Sequence, residues 1–128
     1  MNKIVIIGMV LLVTTIHSYA NKIYWVSCQI RHNDKIIGKP RMVLENAKES
    51  SIEIKGKNGY LLSLLVIKKE HNILQVKTKF YLKENHSFEL VFKPIFKVKN
   101  AQSTTIELTH PIFGNVELKL RVNQKQYS

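Results

Sequence analysis

Through most of this chain apolar and polar side chains alternate with a period of two. Turn residues interrupt the alternation every eight to twelve positions or so, the pattern of an all-β sandwich or barrel. The first strand spans Ile23 to Arg31, with Tyr24, Val26, Cys28 and Ile30 in phase for burial, and a tight turn follows at His32-Asn33-Asp34-Lys35. A second strand runs from Ile36 to Leu44 with Pro40 inside it. Proline has no N–H to give a ladder, so Pro40 belongs on an edge, at a bulge, or at a break between two short strands. After a loop at Glu45–Glu49 come a short strand, Ser51 to Lys55, and a hairpin turn at Gly56-Lys57-Asn58-Gly59. Tyr60 to Lys68 is apolar on both faces, with Leu62, Leu64 and Val66 on one and Leu61, Leu65 and Ile67 on the other. That marks a strand covered on both sides or a patch awaiting a partner.

The second half reads alike. From Ile73 to Leu82, residues Leu74, Val76, Thr78, Phe80 and Leu82 face in, while Gln75, Lys77, Lys79 and Tyr81 face out. Phe88 to Val98 points Phe88, Leu90 and Phe92 inward ahead of Pro94. Thr104 to Leu108 is short, and Val116 to Val122 buries Val116, Leu118, Leu120 and Val122. One stretch is written twice: Lys39-Pro40 through Asn46-Ala47 to Ile52-Glu53-Ile54 returns 54 residues later as Lys93-Pro94, Asn100-Ala101 and Ile106-Glu107-Leu108. Such a period implies one supersecondary unit used twice. The asparagines are expected to take the left-handed backbone of the two loops. The fold expected is an antiparallel β-sandwich or small barrel of about eight strands in two pseudo-equivalent halves, a single domain over residues 21–128.

Residues 1–20 read differently. Lys3 precedes a 13-residue apolar run, Ile4 to Ile16, too short for the roughly 20 residues a helix needs to cross a bilayer. Ser18-Tyr19-Ala20 places small residues where a signal peptidase cuts, so a cleaved Sec-type signal peptide is expected, with an uncleaved anchor as the alternative. The destination is the periplasm or the exterior. Twenty basic and nine acidic residues give a charge of +11, and losing the leader with its single Lys3 leaves +10 on 108 residues. The lone Cys28 can form no disulfide within the chain; it is either a buried small hydrophobe, which its phase favours, or pairs with another chain.

Candidate chemistry is sparse. His32, His71, His86 and His110 fall in turns, and none stands at metal-ligand spacing from another donor. There is no nucleophile motif and no glycine-rich phosphate loop, so no catalytic, metal or cofactor residues are assigned and no enzymatic activity is expected. The repeated Glu53 and Glu107 suggest at most a carboxylate dyad, which lysine-paired surface residues explain more simply. The positive charge stands out. Lys77, Lys79, Lys97, Lys99, Lys119 and Arg121 all project from outward strand faces, and on adjacent strands they would form one basic surface for anionic lipid, lipopolysaccharide or glycan. Export argues against chromosomal nucleic acid as the partner. Aromatic residues of the kind that stack on bases are thin on these faces, with Tyr81 the best outward candidate.

The repeated Pro-x-x-x-Leu/Val-x-Asn-Ala-x-x-Ser/Thr-x-Ile-Glu-Ile/Leu resembles small periplasmic β-domains of Gram-negative envelopes and a stretch of bacterial secretins. It covers about sixteen residues twice and carries over no functional residue. The secretin glycines are not at their places, and the chain is too short for an outer-membrane channel. The resemblance implies an envelope-resident binding or assembly module. The function expected is accordingly a non-enzymatic protein–protein interaction module of the bacterial envelope. The alternative is a basic binder of anionic lipids, lipopolysaccharide or polysaccharide.

Overall fold

The computed structural model describes residues 22–56 and 59–126. The signal-peptide reading of residues 1–20 and the Lys57-Asn58 part of the hairpin turn lie outside the described residues. The described residues are all-β, in ten strands: β1 (Lys22–His32), β2 (Lys35–Gly38), β3 (Arg41–Glu45), β4 (Ser50–Ile54), β5 (Tyr60–Glu70), β6 (Ile73–Glu84), β7 (Ser87–Phe92), β8 (Ile95–Lys99), β9 (Ser103–His110) and β10 (Gly114–Gln126). The count is ten, against the eight or so expected, because two prolines each interrupt a long strand. Pro40 separates β2 from β3, and Pro94 separates β7 from β8.

All pairings are antiparallel and fall into two five-stranded sheets. In the first, β1 pairs with β10 on one side and with both β2 and β3 on the other, and β9 extends β10. In the second, β5 lies between β4 and β6, and β6 pairs with both β7 and β8. Alternation puts one face of each sheet into a common core. Tyr24, Val26, Cys28, Ile30, Leu44, Val116, Leu118, Leu120 and Val122 come from the first sheet. Tyr60, Leu62, Leu64, Val66, Leu74, Val76, Phe80, Leu82, Val91 and Val98 come from the second. Burying a Leu or Val side chain contributes roughly 1.5–3 kcal/mol, so this shared face is the main source of stability. Gly38 lets the layers meet closely: a Cβ there would collide with the Tyr60 phenol.

The twice-written stretch makes the same contacts at both places. Cys28 N–H donates to the Pro40 carbonyl and Thr78 N–H to the Pro94 carbonyl, both at 3.0 Å. Ala47 N–H donates across the layers to Val66 O, and Ala101 N–H to Val122 O, both at 2.8 Å. The Asn46 side-chain carbonyl accepts from Lys68 N–H at 3.0 Å, and that of Asn100 from Gln124 N–H at 2.7 Å. The alanine and asparagine contacts sit where the chain leaves one sheet for the other and clip the corner shut. Met42 and Phe96, opposite Val26 and Val76, both pack against the core.

Two expectations need correction. The left-handed residues of the loops are Ala47 (φ 61°) and Ala101 (φ 66°), not the asparagines before them. Each asparagine instead spends its side chain on the corner clip. In β7 the register slips between Phe80 and Tyr81, which lie opposite Phe92 and Leu90. Val91 is the extra residue of a bulge and is buried, while Leu90 is exposed and Phe88 lies opposite outward-facing Lys83. One added residue reverses the phase on its far side.

Candidate functional site

The register assigns each of the six basic residues singled out by charge to a face. Lys77 and Lys79 of β6 and Lys97 and Lys99 of β8 stand on the outer face of the second sheet, where Lys77 lies opposite Ile95 and Gln75 opposite Lys97. Lys119 and Arg121 of β10 stand on the outer face of the first sheet, opposite Gln29 and Ser27. The two sheets turn these faces away from each other, so the six do not form one surface.

On the first sheet, Lys119 and Arg121 meet two cations that charge and alternation alone did not single out. The break at Pro40 leaves a notch in the sheet edge, and Lys39 and Arg41 flank it. Arg41 is in register with Ser27, Ser27 with Arg121, and Arg121 with Ser103, so one cross-strand row reads Arg–Ser–Arg–Ser. With strands about 4.8 Å apart, the two arginines stand about 10 Å apart over a serine too small to fill the space. The result is a groove of about 310 Å³ lined by Ser27, Gln29, Lys39, Arg41, Ser103, Lys119 and Arg121, without a carboxylate. Among the described residues none of its four cations makes an ion pair. Cys28 lies beneath with its side chain in the core, and burial pushes its thiol up to about 12. At neutral pH it is a protonated thiol, not a nucleophile.

A second depression adjoins the first and shares Ser27 and Arg41 with it. It is about 300 Å³ and is flanked by Trp25, Val43, Asn123 and Lys125. Trp25 is 49% and Val43 56% exposed, and they lie opposite one another on β1 and β3. Lys125 Nζ sits 4.8 Å from the indole centroid in a cation–π contact. The outer face of the first sheet thus carries an exposed apolar pair beside a strongly basic groove.

The break at Pro94 has its own groove on the second sheet, about 320 Å³, lined by Glu49, Leu65, Lys77, Thr78, Lys79, Lys93 and Ile95. Here a carboxylate is present. Ser63 Oγ–H donates to Glu49 Oε1 at 2.5 Å, and Lys79 Nζ lies 3.8 Å from the same oxygen.

The other candidates are structural in their contacts. His32 Nε2 is 2.6 Å from the Phe113 carbonyl, and His110 Nδ1 accepts from Ile112 N–H at 3.0 Å and Phe113 N–H at 3.2 Å, so both hold the β9–β10 turn. His71 and His86 are exposed in turns. Glu53 and Glu107 stand on the outer faces of different sheets, opposite Leu61 and Glu117 respectively, and do not form a dyad. Among the described residues no group of three His, Cys, Asp or Glu side chains is placed to hold a metal ion.

Compared with known proteins, the chain matches no family model, no curated protein and no solved structure.

Proposed function

We propose that the protein is a non-enzymatic, exported β-sandwich built from two copies of one half. In this reading it acts in the periplasm or outside the cell as a protein–protein interaction module of a bacterial envelope. The paired contacts of Asn46 and Asn100, Ala47 and Ala101, and Pro40 and Pro94 support the duplication, and the basic, apolar N-terminal segment supports export. One observation carries the function. The outer face of the first sheet sets exposed Trp25 and Val43 beside four cations, and the fold itself uses neither group. An aromatic anchor flanked by arginine is the composition that concentrates binding energy at protein interfaces. The charge selects an acidic partner surface. A photo-crosslinking residue at Val43 is expected to give one discrete envelope adduct, while the same residue at Leu90 on the other sheet gives none. Recovery of the uncrosslinked protein alone from both positions overturns the reading.

The second sheet supports a second reading, the binding of an anionic lipid, lipopolysaccharide or polysaccharide surface. Exposed Ile95 lies opposite Lys77 on the face that also carries Lys97 and Lys99, and exposed Leu90 lies further along it opposite Tyr81, an amphipathic arrangement suited to a headgroup layer. It predicts co-flotation with anionic vesicles that weakens as salt rises and is lost on charge reversal at Lys77 and Lys97. Absent or salt-insensitive flotation retires it.

A further inference from the structure

The grooves at the two proline breaks occupy matching positions. Counting along the repeated stretches, Lys39 answers Lys93, Pro40 answers Pro94, Arg41 answers Ile95 and Ser103 answers Glu49. The pairing of β1 with β3 and of β6 with β8 likewise sets Ser27 against Lys77 and Cys28 against Thr78. The grooves therefore share a frame and differ in what fills it. In the second sheet Glu49 extends its carboxylate over the strands to Ser63 and Lys79, so this groove carries its anion within the chain. In the first sheet the matching residue is Ser103, whose side chain carries no charge, while the walls gain Arg41 and Arg121.

We propose that the groove of Lys39, Arg41, Lys119 and Arg121 is a carboxylate-binding site that takes an acidic side chain of a protein partner, the place Glu49 takes in the other groove. This deepens the protein-partner reading above and rests on it for the source of the carboxylate. The chemistry favours that group. Guanidinium groups receive a carboxylate through two parallel N–H···O bonds, and the hydroxyls of Ser27 and Ser103 are further donors, as Ser63 is to Glu49. The four cations have no ion-pair partner among the described residues, and gathering like charges is unfavourable until an anion arrives.

Glu49 suggests its own experiment, run on the full gene product as the host processes it. A blocked hexaglutamate peptide titrated into isotopically labelled protein is expected to shift the amides of Ser27, Gln29, Arg41, Ser103 and Arg121. Ser103→Glu supplies the carboxylate internally and is expected to weaken the peptide about tenfold or more while the rest of the spectrum stays native. Glu49→Ser opens the other groove, and the stoichiometry is expected to rise from one peptide to two, with new shifts at Ser63, Leu65 and Lys79. Unchanged binding by Ser103→Glu overturns the proposal, as does equal perturbation of both outer faces in the unaltered protein. A one-to-one complex with Glu49→Ser overturns the internal-ligand argument. Saturation by inorganic phosphate at the same concentration as by the peptide overturns the assignment to carboxylate. If Ser103→Glu loses the peptide but keeps its adduct at Val43, the partner reading stands and the proposal that this partner supplies the groove's carboxylate falls. If the unaltered protein binds the peptide but gives no adduct at Val43, the groove stands and it is the partner reading that falls.

Discussion

At Pro40 and at Pro94 the chain does the same thing with its backbone and different things with its surface. Both prolines end one short edge strand and begin another, and both carbonyls accept from the neighbouring long strand at 3.0 Å. Yet the outward positions around Pro40 are Arg41, Ser27, Arg121 and Ser103, while those around Pro94 are Ile95, Lys77, Leu65 and Glu49. Most of the matching inward positions are close in kind: Leu64 and Leu120, Val26 and Val76, Leu44 and Val98 are all buried. A packed interior restricts volume and polarity at every inward position. An outward position must only remain compatible with water. Around the two prolines the chemical differences therefore fall mainly on the outward positions.

The sharpest test of likeness lies in the core. Leu64→Ala and Leu120→Ala each empty a fully buried leucine site at matching places in β5 and β10, and each is expected to cost about 2–5 kcal/mol. Urea denaturation of the two variants measures both. Values within about 1 kcal/mol of each other uphold the match, and a loss confined to one of them breaks it.

Next comes a pair expected to differ. Asn46 accepts from Tyr24 O–H at 2.9 Å as well as from Lys68 N–H, whereas Leu74 stands where a second tyrosine would have to be for Asn100 to do the same. Asn100→Ala is expected to cost about 1 kcal/mol. Asn46→Ala should cost about 2–3, because it also leaves the buried Tyr24 hydroxyl without its partner. Introducing Tyr24→Phe beside Asn46→Ala should shrink that excess; in a double-mutant cycle, a coupling energy near zero would show that the hydroxyl is not its source.

Much of this was legible from alternation alone, because the inward phase in β1 and β10 is a run of apolar residues at every second position, and in β6 the run is broken only by Thr78. The proline breaks and the repeated stretch were legible for the same local reason. What failed was non-local. A bulge at Val91 leaves no mark in composition, so Phe88 and Leu90 were assigned the wrong face. Alternation says that Lys97 and Lys119 face outward but not that they face opposite ways, since sheet membership depends on pairing between strands far apart in the chain. Arg41 escaped notice because its importance comes from lying in register with Ser27. The twice-written Lys-Pro at 39 and 93 was the one signal pointing to that spot.

The third test exploits Cys28 against Thr78, matching inward positions with different chemistry. Thr78 Oγ1 is buried without a hydrogen-bond partner among the described residues, so Thr78→Val is expected to stabilise by about 1 kcal/mol, measured by the denaturation midpoint. Cys28 should instead show itself through pH. Burial raises its folded pKa from 9.0 to about 12, so the native state holds the proton longer than the unfolded one. Its contribution is fully present below about pH 9 and is lost as pH rises from there towards 12. Tyr24 and Tyr60, also raised by burial, add to the same alkaline loss, so the comparison is with Cys28→Val, which keeps both tyrosines. The variant's stability should fall less steeply above pH 9; parallel curves would count against the buried thiol as the cause.

The smallest expected effect concerns the two corner loops and bears on why alanine stands there at all. An L residue with φ near +60° crowds its Cβ against the backbone at about 1 kcal/mol or more, and glycine avoids this at some cost in unfolded-chain entropy. Ala47→Gly and Ala101→Gly are therefore each expected to stabilise by about 0.5 kcal/mol, because φ of 61° and 66° already suits glycine and the clip from Asn46 or Asn100 is untouched. The exposed alanine methyls give little packing to lose. Equal gains at both sites, additive in the double variant, would mean that the corners carry the same strain. A loss at either site would mean that its methyl group makes a contribution its twin lacks, and the likeness of the halves would then stop at the strands and not extend through the corners that join them.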